Sequence, residues 1–360
     1  MIDVIIPVYK GARETRRCIE SVLGSRQRAL FAIVVVDDAS PDREIVGYLD
    51  ELQARGQIAL ERNERNLGFV RSVNRGMTLH PDRDVVLLNS DTEVANDWLD
   101  RLQRSALSQP DIGTVTPFSN NATICSYPFE GWTAGMPGTL GLAALDALFA
   151  SANPGRTVDL PTGVGFCMYI RRACLVEVGA FDAERFGRGY GEENDFCLRA
   201  AAAGWRSVLA ADVFVFHQGA VSFSEERAAQ TQIATSTLLD LHPGYVRRVR
   251  EFIVRDPLGA FRAAVDSARH ALGADEARHV LAERTEERAH LVARLAEIEQ
   301  MRQGLSHAEA LVAERDEEIV KLRSALGHAE SLAIRRGAQL ERIHASWLGK
   351  LAIYLARTKS

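Results

Sequence analysis

Short apolar runs alternate with amphipathic stretches through the first quarter of the chain. Val4-Ile5-Ile6 and Ala32 to Val36 are β-branched runs too short for helices, and they predict strands buried on both faces of a parallel sheet. Between them, Thr15 to Leu23 carries Cys18, Ile19, Val22 and Leu23 at helical spacing. Ile58 to Leu60 and Val85 to Leu88 predict a third and a fourth strand. Strand–helix repetition of this kind makes an α/β sheet covered by helices, in which ligands bind beyond the carboxyl ends of the strands. Those ends carry Tyr9-Lys10-Gly11, Asp37 to Ser40, Asn63 to Gly68 and Asn89-Ser90-Asp91.

The alternation is lost between about residues 110 and 220. Pro117 to Pro161 is rich in Gly, Pro, Ser and Asn, which predicts long loops around a few short elements. Gly163 to Ile170 then reads as a strand, Glu192 to Ala203 as a helix ended by Gly204, and Asp212 to His217 as another strand. From Leu291 a new period takes over: Leu291, Ile298, Leu305, Val312, Ile319, Leu326, Ala333 and Leu340 recur every seven positions. Met301, Ala308, Leu322 and Ala329 form the companion series, interrupted by Arg294 and Arg315. Leu305 to Glu309 recurs as Leu326 to Glu330, an offset of three heptads that keeps the seam. A self-associating coiled coil is the expectation, with a single helix folded back on the rest of the chain as the alternative.

Composition sharpens this division. The 360 residues exceed one average domain, and 46% hydrophobic with 25% charged residues is the composition of a soluble globular protein. All 11 prolines lie at or before Pro257, and after Phe261 the aromatics are Trp347 and Tyr354, so the chain changes physical type near residue 260. The balance of 43 basic against 48 acidic residues argues against a nucleic-acid partner. No apolar run approaches the roughly 18 residues of a membrane span, and Met1 to Val4 lacks a signal-peptide pattern. Five cysteines without a C-x-x-C pair fit a reduced, cytoplasmic chain. The segment Trp347 to Leu355 could continue the seam or lie on a membrane surface, giving peripheral contact at the inner face.

Several residues could carry chemistry. Asp37-Asp38 could be a turn that, with Ser40-Pro41, caps the next helix, or could offer a carboxylate to the imide of a pyrimidine. Asn89-Ser90-Asp91 offers the oxygen ligands that Mg²⁺ or Mn²⁺ prefers. Glu192, Glu193 and Asp195 open a helix, where they could simply meet its dipole or supply a general base kept ionised by the helix end. Arg199 pairs with Asp195 at i,i+4, which marks Asp195 as structural. His217 is either a surface histidine or a metal or diphosphate contact. Gly187 to Gly191 could be a mobile lid, and Asn121-Ala122-Thr123 matches a glycosylation pattern without meaning in a cytosolic chain. The G-x-G-x-x-G fingerprint and the phosphate-binding lysine loop are absent; Lys10 is the sole lysine before Lys321.

In order and spacing, Asp3 to Tyr9, Val36 to Ser40, Asn66 to Phe69, Leu88 to Asp91 and Gly191 to Arg199 resemble family 2 glycosyltransferases of the GT-A fold. Phe181-Asp182, Gly204-Trp205 and His217 to Gly219 look like the subgroup of bacterial rhamnosyltransferase-like enzymes. The resemblance implies a Rossmann-like GT-A domain over residues 1–225, leaving a helical connector over 226–270, a coiled coil over 271–345 and an amphipathic tail over 346–360. It implies inverting transfer from a nucleotide-diphosphate sugar, dTDP-rhamnose first and a UDP-sugar second, to a growing bacterial surface glycan or its lipid-linked form. In the implied roles, Pro7 and Tyr9 lie by the base, Asp38 binds its imide, and Asn66 and Gly68 line the nucleotide. Asn89 and Asp91 lie by the diphosphate, Asp91 holds the divalent metal with His217 as a further contact, and Glu193 is the base with Glu192 its rival. Asn89 stands where the family's D-x-D pattern has its first aspartate, and Glu193 stands where the family usually has Asp. A coiled-coil scaffold with an inactive domain and a nucleotidyltransferase are the other readings; the latter would want a basic loop that Lys10 alone scarcely supplies.

Overall fold

The computed structural model describes residues 1–129, 134–187, 189–219 and 225–357. Its first part alternates as expected: β1 (Ile2–Val8), α1 (Ala12–Gly24), β2 (Phe31–Asp37), α2 (Arg43–Ala54), β3 (Ala59–Arg62), α3 (Phe69–Thr78) and β4 (Asp84–Leu88). Then come β5 (Thr92–Glu93), α4 (Trp98–Leu107), β6 (Ile112–Ser119), α5 (Leu142–Ala152), β7 (Thr157–Leu160) and β8 (Cys167–Ile170). The helices α6 (Arg172–Val178) and α7 (Glu192–Ala202) lead to β9 (Arg206–His217). Beyond it lie α8 (Glu225–Leu241), α9 (Tyr245–Arg255), α10 (Gly259–His270) and the long α11 (Ala274–Arg357).

Among the described residues, nine strands form one sheet in the order β3-β2-β1-β4-β8-β6-β9-β5, with β7 paired to β9. β1 runs parallel to β2 and β4, and β2 to β3; β8 lies antiparallel between β4 and β6, and β9 runs parallel to β6. The carboxyl ends of β1, β2, β3, β4, β6 and β9 therefore share one edge, where β8 begins.

Alternate residues of each central strand enter opposite cores. Ile2, Val4, Ile6 and Val8 join Ile33, Val35, Val86 and Leu88 under α1, α2, α4 and α5. Ile5, Val34, Val36, Val85 and Leu87 meet α3, α6 and α7 on the other face. Both faces are covered, which is why these strands read as unbroken apolar runs.

The middle of the chain departs from the sequence reading. Pro117 to Pro161 holds not only loops but α5, whose Phe149 stacks on Phe214 at 5.1 Å and meets Tyr127 edge-on. All eight residues of β6 are buried although Gly113, Thr114, Thr116 and Ser119 give it no apolar signature. β8 starts at Cys167, later than expected, because Gly163 and Val164 donate their amides to Cys197 Sγ and Thr116 Oγ1 instead of a strand. β9 is twice the expected length, held by β6 along one side and β7 along the other.

By its contacts the chain divides into Met1–Thr285 and Glu286–Ser360. In the second unit the described residues form a single helix, on which Leu291, Ile298, Leu305, Val312, Ile319, Leu326 and Leu340 are between 45% and 66% exposed. Among the described residues, no helix is long and apolar enough to cross a membrane.

Candidate active site

The shared sheet edge gathers the acidic strand ends. Asp37 ends β2 in register with Arg62, accepts the Ser40 amide at 2.9 Å and pairs with Arg62 Nε at 3.1 Å. The expected cap at Ser40 is instead Asp42, whose carboxylate accepts the Glu44 amide to start α2. Asp38 is buried and turned inward. Its Oδ1 accepts from Asn63 Nδ2 at 2.8 Å and from the Leu67 amide at 2.7 Å, and its Oδ2 accepts the Gly68 amide at 2.8 Å. One carboxylate thus fixes the whole Asn63–Gly68 turn and the start of α3, while Oδ2 keeps one acceptor position. In that turn Asn66 Oδ1 is buried without a hydrogen-bond partner, and Gly68 has φ +86°. On the adjacent strand Pro7 is half-buried and the Tyr9 ring is exposed, with Lys10 Nζ 5.3 Å from its centre.

Past β4, the backbone of Asn89 is locked. Its amide donates to Phe166 O at 2.8 Å, and its carbonyl accepts from the Thr92 amide and hydroxyl. The following β5 pairs Thr92 with His217 on β9, which brings Asp91 Oδ1 to 3.3 Å from His217 Nε2. The other ring nitrogen, Nδ1, lies 2.8 Å from Asn121 O, a bond it can make only as the N–H donor. That contact leaves Nε2 of the neutral ring as an acceptor facing Asp91. The imidazole stacks on Phe166 at 5.3 Å, and the backbone of His217 is held by both ends of the Asn120 amide.

An oxygen and a nitrogen donor this close can share one divalent ion. Among the described residues no third His, Cys, Asp or Glu joins them in a cluster. Two protein ligands with room for substrate phosphates suit Mg²⁺ or Mn²⁺, which rarely sit in all-protein cages.

The third group comes from α7. Tyr190 (φ +77°) and Gly191 (φ +95°) turn the chain sharply into the helix, the first a backbone state that a side chain rarely adopts. Glu193 Oε1 accepts from Asn194 Nδ2 at 3.1 Å, and Asn194 Oδ1 accepts from Tyr245 Oη at 3.1 Å. A Cβ placed on Gly165 would lie 3.6 Å from Glu193 Cγ, so this carboxylate sits beside the Gly165-Phe166 segment that stacks on His217. Burial pushes the Glu193 carboxyl up, and backbone amides at the helix start only partly offset it. The expectation that the helix end would dominate is corrected here: desolvation outweighs the dipole. Glu192 is raised well above the carboxylate range by burial and then by the charge of Glu193, and its Oε2 is buried and unpartnered. Asp195 bonds Arg199 Nε at 2.7 Å, as the spacing predicts, and also His242 at 2.9 Å. Of the lid expected at Gly187 to Gly191, Arg188 lies outside the described residues.

The fold therefore brings Asp38, Asn66, Gly68, Asn89, Asp91 and His217 to one edge, with Glu193 joined to them through Gly165-Phe166. Sequence reasoning missed Asn120, Asn121, Phe166 and Tyr245. Asn121 stood out only within a glycosylation pattern and Asn120 not at all, and their service to His217 depends on a pairing across roughly a hundred residues.

An uncharacterized protein, y4gI, of Sinorhizobium fredii is 23% identical over 239 residues, covering 63% of this chain and 25% of its own length. An N-acetylglucosaminyl-diphospho-decaprenol L-rhamnosyltransferase of Mycobacterium tuberculosis is 24% identical over 286 residues, 72% of this chain and 90% of that protein. The chain thus spans about a quarter of the first of these relatives and most of the second. Among solved structures, GalNAc-T7 with UDP, GalNAc and Mn²⁺ aligns with a TM-score of 0.47 at 19% identity, covering 60% of this chain and 43% of that one. Residues 3–175 match the model of glycosyl transferase family 2. With a mixed sheet under that match and the motif residues at its edge, residues 3–175 form a glycosyl transferase family 2 domain.

Proposed function

We propose that the Met1–Thr285 unit transfers a sugar, with inversion, from a nucleotide-diphosphate donor to a hydroxyl of a growing glycan. The observation that carries this reading is the Asp91–His217 pair stacked on Phe166, with the partly buried Glu193 beside the neighbouring Gly165. Pro7 and Tyr9 flank the base, and the free acceptor position of Asp38 Oδ2 takes its imide. Asn66 Oδ1 gains a donor from the nucleotide, and Gly68 lets the backbone pass close to it. Asp91 and His217 would hold Mg²⁺ or Mn²⁺ on the diphosphate, with Asn89 alongside; the ion supplies charge neutralisation for the departing diphosphate.

Glu193 takes the proton of the acceptor hydroxyl as its oxygen bonds to the anomeric carbon and the bond to the diphosphate breaks. Its raised affinity for protons makes it a stronger base than an exposed glutamate. The Tyr245–Asn194 pair orients it. Glu192, whose carboxyl is pushed up by burial and by the charge of Glu193, is the weaker candidate.

A dTDP-rhamnose donor is favoured over a UDP-sugar by the subgroup motifs and by the name of the mycobacterial relative, whose decaprenol acceptor also supports a lipid-linked glycan here. Self-association of the Glu286–Ser360 unit is favoured by its exposed heptad seam. A thermal-shift panel of nucleotide sugars with and without Mn²⁺ tests the reading, since a bound donor stabilises the fold by mass action. A shift with dTDP- or UDP-sugars that grows with Mn²⁺ is expected; no shift with any of them would overturn it.

A further inference from the structure

Arg269 is among the largest side chains in the protein with no exposed surface, and it lies far beyond the residues that match the family. All three nitrogens of its guanidinium donate hydrogen bonds. Nε donates to Glu276 at 2.6 Å, Nη1 to Tyr127 Oη at 2.8 Å and to Glu283 at 2.5 Å, and Nη2 to Glu283 at 2.9 Å. The same two glutamates reach back to the loop: Glu283 accepts the Gly138 amide at 3.1 Å and Glu276 the Thr139 amide at 3.3 Å. Tyr127 Oη donates to Asp266, and Arg284 bonds both Asp266 and Pro128 O. α10 and the start of α11 therefore grip the segment after β6 at two places, Tyr127-Pro128 and Gly138-Thr139.

That segment contains the groups that hold His217. Asn120 exchanges bonds with Ala134 through its backbone and side chain, and Tyr127 N donates to Ser119 O. Asn120 and Asn121 then fix the backbone and ring of His217. We infer that Arg269 is a positioning residue for the metal pair: it fixes Tyr127 directly and Gly138-Thr139 through Glu276 and Glu283, and through these anchors the direction of His217 Nε2 toward Asp91. The stretch past residue 258 is then a working part of the active site, although the family match ends at residue 175.

The inference rests on the proposed metal role of His217, so its test reads both the metal and the loop. The full chain is compared with Arg269→Lys, which keeps the charge but not the fork, and with Tyr127→Phe, which removes one hydroxyl and leaves the aromatic packing. Mn²⁺ alone is titrated by the electron paramagnetic resonance of the free ion. Hydrogen exchange is followed at the Tyr127, Ala134 and His217 amides, whose acceptors are known. Both variants are expected to bind Mn²⁺ about tenfold more weakly, the lower end for residues behind a metal ligand, and to exchange faster at these three amides than at the β1 amides. Parent-like Mn²⁺ affinity and exchange in the two folded variants would overturn the inference. If the parent itself binds no Mn²⁺, the metal reading fails, and the exchange comparison alone decides whether Arg269 positions His217.

Discussion

His217 Nε2 lies 3.3 Å from Asp91 Oδ1, brought there by a two-residue strand pairing, while the opposite ring nitrogen donates to Asn121 O. The tautomer is thus set by the backbone and not by the carboxylate. Under the proposed metal role, replacing either member should remove half of the protein ligands that would hold the ion. Asp91→Asn and His217→Asn are each expected to lose the Mn²⁺-dependent part of donor stabilisation and at least about tenfold in Mn²⁺ affinity, read by calorimetry. Retention of full affinity by both variants would place the ion elsewhere.

Glu193 and Glu192 are adjacent but not equivalent. Glu193→Gln should lower turnover by about a hundred- to ten-thousand-fold, the range for a general base, with donor affinity kept. Glu192→Gln mimics the protonated form that burial favours at this residue and should leave most turnover. Because burial raises Glu193, the acid limb of the pH–rate profile should lie above the ordinary glutamate value of about 4.3. The opposite pattern in the two variants would transfer the base role to Glu192.

Glu192 also couples stability to pH. Its folded-state pKa is raised, so the native state binds a proton that the unfolded chain releases above about pH 4.3. Stability is then lost as pH rises from that value through the raised one. Glu192→Gln should match the parent in melting temperature near pH 4 and exceed it near pH 8. A parallel pair of melting curves across this range would count against a buried, neutral Glu192.

Asp38 serves three donors at once. Asp38→Ala leaves the Leu67 and Gly68 amides and Asn63 Nδ2 without it, at roughly 1–3 kcal/mol for each donor that stays buried. A drop on the order of 3 kcal/mol in urea unfolding is expected, together with weaker donor binding. A variant as stable as the parent would mean that the turn holds itself.

In the Glu286–Ser360 unit, Ile298 and Ile319 occupy the same heptad position. Substituting both by Asp should yield a monomer in sedimentation equilibrium if the parent self-associates through this seam. An unchanged oligomer would locate the contact outside it.

Much of this was legible in the residues. The β-branched runs of β1, β2 and β4 announce a sheet buried on both faces, and the polar and acidic strand ends do gather at one edge of it. The Asp195–Arg199 pair follows from spacing alone. What stayed hidden depends on long-range pairing. β6 is buried by its neighbours and not by its own apolarity, so Gly113 and Thr114 gave no signal. The orientation of His217 is decided by Asn120 and Asn121, and the balance at Glu193 by how deeply α7 sits, neither of which is a property of local sequence.

The Asp38 clamp has a kinetic side as well. Its three bonds order the Asn63–Gly68 turn when the chain folds, so under the proposed function a donor nucleotide would find the turn already in shape. Little conformational entropy is then left to lose on association, and affinity differences among donors should reside in how fast they leave.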